Sequence, residues 1–357
     1  MIIMAEYYFN LPPITTLTIP QQAALDDPAQ IALSGGPGTG KSVVSLWRHI
    51  SNHMSNPAKK SLLLTYTTTL KEYLKACCRS QNEDAAKMVA TSLKSRDKIH
   101  KYKFAEIIID EAQDLDEGYY HGILSNVSYG ADDSQILYPD HCCYQSQLTS
   151  LFPDNVEHVL SKNFRSTQKI MKFAKATFPD AVIPREIIDG LASNIGELPV
   201  FMVSDGISHE RTDDKQNNAI LEIINAFKSD THNIAILVPW KSEVQVFENI
   251  LKGKVDDFSL YYENKERFPD GCATIKNVHI TTFKSAKGLE FDTVIIPNFD
   301  ILKRLPIIIQ DRDTGENKII CDWKDLYVAC TRAKSNLYLI SNYDIPSLNS
   351  VVDKTVL

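Results

Sequence analysis

Gly35-Gly36-Pro37-Gly38-Thr39-Gly40-Lys41-Ser42 fits the pattern G-x-x-x-x-G-K-[ST]. An apolar run, Ile31-Ala32-Leu33, leads in as a short buried strand would, and Val43, Val44, Leu46 and Trp47 lead out as the start of a packed helix. Glycines let the backbone turn so that successive N–H groups face one anion, and the helix N-terminus adds its partial positive charge. In such a loop Lys41 reaches the β- and γ-phosphates of a nucleoside triphosphate, and the Ser42 hydroxyl holds Mg²⁺. A glycine-rich turn that binds nothing is the bland alternative. Four glycines with Lys and Ser at fixed offsets weigh against it.

At 357 residues the chain has room for two domains of ordinary size, and 43% hydrophobic with 23% charged content is that of a globular protein. No apolar run approaches the ~20 residues that span a bilayer, and no basic segment precedes the short apolar start; a cytosolic (cytoplasmic) protein with no membrane partner is expected. The seven cysteines (Cys77, Cys78, Cys142, Cys143, Cys272, Cys321, Cys330) include no C-x-x-C pair. That argues for reduced thiols, and the adjacent His141-Cys142-Cys143 cannot easily share one tetrahedral ion. A net charge of −7 does not advertise nucleic-acid binding. Between Lys59 and Lys103, however, eleven basic residues face only four acidic ones, Glu72, Glu83, Asp84 and Asp97. Solvated helix faces would explain that stretch equally well.

Thr18 can cap a short helix over 17–25, with Pro20 in its first turn. Gln21 on that helix, donor and acceptor at once, could read an adenine edge. Ser61 to Tyr66 reads as a second strand, Thr69 to Cys78 as an amphipathic helix, and Phe104 to Ile109 as a third strand running into Asp110-Glu111-Ala112-Gln113-Asp114. Carboxylates at the end of a buried strand meet a second need of nucleotide hydrolysis, with Asp110 serving Mg²⁺ and Glu111 polarising water. Further strands are expected at Gln135–Tyr138, Val156–Leu160, Val200–Val203, Ile234–Val238, Val278–Thr282, Thr293–Pro297 and, closing the chain, Asn336–Ile340. Helices are expected over Asn218–Phe227, Glu243–Leu251 and Trp323–Cys330. Strands alternating with helices imply two parallel-sheet α/β domains, 1–160 and 161–357, hinged near Ser161. Arg332, on an otherwise apolar segment, suggests an arginine facing phosphate; a structural ion pair is the alternative.

Taken in order, these segments resemble the superfamily 1 DNA helicases of the UvrD/Rep/PcrA type. Gln21 matches the family's adenine-reading glutamine, and Gly35, Gly36, Pro37, Gly38, Thr39, Gly40, Lys41 and Ser42 its phosphate loop. Thr65-Tyr66-Thr67 looks like T-F-T, whose aromatic stacks on single-stranded DNA. Asp110 to Asp114 is similar to D-E-x-Q-D, and Ala131 to Tyr138 to G-D-x-x-Q-S-I-Y, with Gln135 as γ-phosphate sensor. Asn163-Phe164-Arg165-Ser166 matches N-Y-R-S, which would pack Phe164 on adenine and set Arg165 on the γ-phosphate. Lys287 to Phe291 reproduces K-G-L-E-F, putting Glu290 among the nucleotide contacts, and Val328 to Ala333 reproduces V-A-x-T-R-A, with Arg332 as second arginine finger. The resemblance implies two RecA-like domains of the P-loop NTPase fold, ATP with Mg²⁺ in the cleft between them, and DNA contacts at Thr65, Tyr66 and Thr282.

The large helical insertions of full-length relatives have no room here. Lys284 stands where the family usually has His, Ala131 where it has Gly, and Pro139-Asp140-His141 where an aromatic or arginine often meets DNA. The leading expectation is a compact helicase or translocase with DNA-stimulated ATP hydrolysis, moving 3′ to 5′ on single-stranded DNA or a tailed duplex. The alternative is an ATPase switch subunit that regulates a separate effector, such as a nuclease. Paired arginines and D-E-A-Q-D count against a phosphoryl-transferring kinase.

Overall fold

A computed structural model describes residues 7, 9, 11–55, 60–123, 126–178, 181, 183, 185–204, 213–262, 264, 266–268, 274–310 and 315–357. Lys59 and Cys272 lie outside the described residues. The chain divides into two compact units, Phe9–Phe164 and Arg165–Leu357, with Tyr7 belonging to the second.

The first unit carries β1 (Ile31–Ser34), β2 (Ser61–Thr65), β3 (Val89–Thr91), β4 (Glu106–Ile109), β5 (Val127–Ala131) and β6 (Val156–Val159). They form one parallel sheet in the order β3-β2-β4-β5-β1-β6. The period-2 alternation of a strand sends β1 side chains to both faces. Ile31 and Leu33 pack with Val44 of helix Lys41–Ser55, whereas Ala32 joins Leu62, Leu64, Ile107 and Ile109 on the other side. Covering on both faces is what an all-parallel sheet requires. It also puts the C-terminal ends of β1, β2, β4 and β5, hence the loops that follow them, along one edge.

Beneath the sheet's other end, Arg48 of helix Lys41–Ser55 is buried and donates from Nε to Glu106 Oε1 (2.6 Å). Its remaining nitrogens donate to the carbonyls of Ala24 (3.3 Å), Asp27 (2.8 Å) and Ala29 (2.5 Å). Asn52 Nδ2 and Ser128 Oγ also donate to Glu106. His49, one residue on, lies between Ser61 Oγ (2.8 Å) and Ala85 O (3.0 Å).

The strand expected at Gln135–Tyr138 is instead a 3-10 turn, Asp133–Gln135, followed by irregular chain; the strand is Val127–Ala131. Asp132 caps that turn, its Oδ1 accepting from Ser134 N (3.0 Å), so the apolar Ile136-Leu137 pair after it packs as loop. Gly130 disguised the true strand. A Cβ there would already touch the Lys41 Cβ at 3.6 Å and Asp110 Oδ1 at 3.7 Å, which leaves no room for a branched side chain.

In the second unit, β7 (Val200–Val203), β8 (Ile234–Val238), β9 (Ser259–Tyr261), β10 (Val278–Thr282), β11 (Phe291–Ile296), β14 (Ala333–Ser341) and β15 (Asp353–Val356) form a parallel sheet. Its order is β15-β7-β14-β11-β8-β10-β9, and β12 (Ile307–Gln310) pairs antiparallel with β13 (Asn317–Cys321) in a separate hairpin. Helices Asp214–Phe227 and Lys241–Leu251 turn Ile220, Ile224, Val244 and Phe247 onto Ile234, Ile236 and Ile280. Asn336–Ile340 is not the closing strand: β15 follows it and pairs with β7. Its sequence, Asp353-Lys-Thr-Val356, is exposed throughout and carries no buried-strand pattern.

Two stability outcomes are expected. Glu106→Ala leaves the Arg48 guanidinium buried without its carboxylate and should cost about 3–5 kcal/mol in urea denaturation of the first unit. Burial holds the His49 imidazole neutral, pushing its pKa down to about 3 from 6.5. Between those values the unfolded chain binds the extra proton, so the contribution is full above pH 6.5 and is lost as pH falls, by up to ~1.4 kcal/mol per unit. The His49→Gln variant should show a flatter urea-midpoint slope between pH 6.5 and 5 than the wild type; identical slopes would refute the assignment.

Candidate active site

The loop Gly35–Gly40 connects β1 to helix Lys41–Ser55, whose first N–H groups have no carbonyl one turn earlier to bond. Gly35 has φ 144°, and a Cβ on it would collide with the carbonyl oxygen of Leu160. Gly40, at φ 89°, is pressed against the Gln21 amide in the same way. Lys41 is buried and donates from Nζ to Gly35 O (2.6 Å) and Gly36 O (3.1 Å), with Asp132 Oδ2 at 3.6 Å. Thr39 Oγ1 donates to Gly36 O (2.9 Å), tightening the loop.

Gln21 reaches this loop, but with both ends of its amide engaged. Oε1 accepts from Thr18 N (2.9 Å), closing a capping box on helix Ile19–Asp26, and Nε2 donates to Thr39 O (3.1 Å). Asn163 Nδ2 donates to Pro37 O (2.9 Å) and Phe164 N to Gly38 O (2.8 Å), which brings the aromatic of N-F-R-S to the loop. The Phe164 ring is 46% exposed, with Lys162 Nζ 5.2 Å from its centroid. A planar base could lie on that face.

Asp110 is buried where β4 ends, and its N–H donates to Leu64 O (2.8 Å). Glu111 follows at φ 59°, a left-handed conformation that ordinary residues seldom adopt and that marks functional turns. Gln113 Nε2 donates to Glu111 Oε2 (2.5 Å), and Asp132 N donates to Gln113 Oε1 (3.2 Å). Gln135 Nε2 in turn donates to Asp132 Oδ2 (2.5 Å). Lys41, Asp110, Glu111, Asp132 and Gln135 thus stand at the C-terminal ends of β1, β4 and β5. The Ser42 hydroxyl and the Asp110 carboxylate are hard oxygen donors of the kind Mg²⁺ takes, and the left-handed glycines form a cradle only wide enough for backbone. The residues fit a metal-bound triphosphate. Among the described residues no group of three or more His, Cys, Asp and Glu could hold a metal by itself.

Thr65 is fully buried and its Oγ1 makes no hydrogen bond among the described residues, while Tyr66 is half-buried with its ring 5.2 Å from that of Tyr138. Thr67 caps helix Thr68–Arg79 by accepting from Leu70 N (3.1 Å). Within the basic stretch Lys71 pairs with Glu72, Arg79 with Glu83 and Lys87 with Asp84. Tyr102 and Leu93 stay more than half exposed, and Lys101 Nζ lies 5.6 Å from the Tyr102 ring centroid.

In the second unit Arg165 Nε pairs with Glu290 Oε2 (3.1 Å), and Ser166 Oγ donates to Ala333 O (2.8 Å). Arg332 is buried; its Nε donates to Val328 O (3.0 Å) and its Nη1 to Leu289 O (3.4 Å). Thr282 Oγ1 is engaged locally with Ser285. Lys284, the departure noted in the sequence, lies 3.7 Å from Asp325 in the capping box of helix Trp323–Cys330, the helix that leads to Arg332. Burial raises the Asp325 carboxyl to about 7 against the pull of Lys284. Among the cysteines, burial pushes the Cys143 thiol up to about 11 and Cys78 to about 12, so neither is a ready thiolate.

Residues 255–344 match the model for the UvrD-like helicase C-terminal domain. Over that segment the chain is similar to the UvrD-like helicases. A putative ATP-dependent DNA helicase, R568 of Acanthamoeba polyphaga mimivirus, is 26% identical over 270 residues, 69% of this chain and 36% of that protein. The RecBCD enzyme subunit RecB of Chlamydia pneumoniae is 35% identical over 74 residues, 21% of this chain and 6% of that one. Among solved structures, PRRSV helicase aligns with a TM-score of 0.42 at 13% identity, over 91% of this chain and 54% of that chain. The chain therefore spans about a third of the length of the mimivirus relative and a smaller part of the RecB subunit. No helix among the described residues is long and apolar enough to cross a membrane.

The site residues that the sequence left unassigned are Gln113, Asp132 and Asn163. Each sits inside a quoted motif, but only the contacts reveal its task. Gly35→Ala should destabilise the first unit by about 1–3 kcal/mol, because the blocking atom is backbone. Gly253→Ala, also left-handed (φ 75°) but with nothing within 4 Å, should cost no more than ~1 kcal/mol. Thermal unfolding of the two variants checks the difference.

Proposed function

We propose that the chain is an ATP-driven DNA motor: it hydrolyses ATP, is stimulated by single-stranded DNA, and moves 3′ to 5′ along it. The observation that carries this reading is the gathering of Lys41, Asp110, Glu111, Asp132 and Gln135 at one edge of a parallel sheet, with Phe164 anchored to Gly38. A DNA substrate is supported by the UvrD-like match and by the name of the mimivirus relative. Residues 1–160 would be the ATP-binding domain and 161–357 the helicase domain, acting in the cytosol.

Lys41 binds the β- and γ-phosphates, and the Gly35–Gly40 amides cradle them. Ser42 and Asp110 would hold Mg²⁺, which would supply charge neutralisation on the phosphates. Glu111 takes a proton from the attacking water, Gln135 orients that water, and Arg165 and Arg332 stabilise the leaving charge. Gln21 and Phe164 bound the adenine, and Glu290, now paired with Arg165, would turn to the nucleotide. Tyr66 offers a ring for base stacking, worth ~1–3 kcal/mol per base. Thr65 and Thr282, buried as they are, would act at the strand surface through their backbone.

The match to a subunit of the RecBCD enzyme supports a second reading, in which the chain is a nucleotide-gated subunit regulating a separate effector such as a nuclease. ATP turnover with and without single-stranded DNA, together with strand displacement on a 3′-tailed duplex, separates the two. The motor reading expects stimulation and displacement; stimulation without displacement favours the subunit. In the same assay Lys41→Ala, Glu111→Gln and Arg332→Ala should each lower kcat by at least ~10³. Near-normal turnover removes that residue from the mechanism.

A further inference from the structure

We propose that Gln113 is a positioning residue for this hydrolysis, holding the Glu111 carboxylate in its working orientation and tying it to the turn that carries Gln135. The inference rests on the reading of Glu111 as the general base.

Gln113 is fully buried in the turn Ala112–Asp114, and both ends of its amide bond to other segments. Nε2 donates to Glu111 Oε2 at 2.5 Å, while Oε1 accepts from the Asp132 backbone at 3.2 Å. The two bonds fix each other: a carboxylate only accepts and a backbone N–H only donates, so a flipped amide would lose both. The main chain is anchored as well, Gln113 O accepting from Cys143 N (3.1 Å). A leucine of similar volume would fill the space but leave the Asp132 N–H and the Glu111 carboxylate without this partner, so glutamine stands here for its two polar ends and not for its bulk.

The reason lies at Glu111. Its backbone leaves β4 in a left-handed turn at φ 59°, so neither strand nor helix sets its side chain, and the terminal torsion of a carboxylate is soft. A short bond to one oxygen fixes the plane of the group. Asp132, at the other end of the amide, accepts from Ser134 N (3.0 Å), Ser134 Oγ (2.6 Å) and Gln135 Nε2 (2.5 Å). Gln113 therefore joins the turn after β4, which bears the base, to the turn after β5, which bears the γ-phosphate sensor. A general base works only within hydrogen-bond reach of the proton it takes, and small misplacements are costly.

A double-mutant cycle on the full chain tests this, with steady-state and single-turnover ATP hydrolysis beside the Kd of a fluorescent ATP analogue. Gln113→Leu should lower kcat by about 10–100-fold and leave nucleotide Kd within about threefold. In the Glu111→Gln background the same change should cost less than about threefold further, because the group it positions is already gone. Gln113→Met, of similar length and without the amide, should match Gln113→Leu; it also serves if the leucine variant does not fold. Unchanged kcat in Gln113→Met, losses that multiply across the cycle, or Kd that weakens in step with kcat would each overturn the proposal. Wild-type turnover in Glu111→Gln would instead defeat the general-base reading, and this inference with it.

Discussion

The first unit depends on one buried guanidinium. Arg48 sits two turns into the helix that follows the phosphate loop, and it holds Glu106 at the start of β4 while also gathering the carbonyls of Ala24, Asp27 and Ala29. Arg48 and those partners join three pieces: the loop helix that bears it, the strand ending in Asp110, and the segment descending from Gln21. A planar donor with five N–H groups suits such a junction, which a lysine could not occupy with the same fixed geometry. Buried ion pairs contribute little net stability over an apolar core, but they penalise wrong arrangements heavily.

From that junction the sheet carries position to the opposite edge. Parallel pairing sends β1, β2, β4 and β5 the same way, so the loop, Tyr66, Asp110 and Asp132 emerge together although they are far apart in sequence. Side-chain amides then knit the edge. Gln21 ties the entry helix to Thr39, Asn163 ties the end of the unit to Pro37, and Gln113 ties Glu111 to Asp132. Amides suit this work because each offers a donor and an acceptor without adding charge.

In the second unit the charged motif residues are committed to their own neighbourhood: Arg165 to Glu290, Lys284 to Asp325, and Arg332 to carbonyls of Val328 and Leu289. Arg332 lies in the turn after helix Trp323–Cys330, its guanidinium held by the carbonyls of Val328 and Leu289. The same unit holds the UvrD-like match, over residues 255–344.

The phosphate loop, the acidic end of β4 and the alternating elements were legible in the residues, because each is local: glycine offsets, an apolar run ending in carboxylates, and a hydrophobic period read directly from neighbours in the chain. Helix Trp323–Cys330 was legible to the residue for the same reason, since its apolar run follows Asp322, a strong cap. What the chain order hid is non-local. Val127–Ala131 contains Gly130 because Lys41 and Asp110 crowd that position, and Ser128 because its hydroxyl bonds to Glu106 and Ile31; the apolar run at 136–137 drew the strand assignment to the wrong place. Gln21 could be seen as an adenine reader, but only the fold shows its amide engaged by Thr18 and Thr39. By itself the sequence determined which residue types stand at the loop and at the strand ends. Burial and parallel pairing in the tertiary structure decided which of them touch, because a hydrogen bond is set by distance in space and the chain specifies only order.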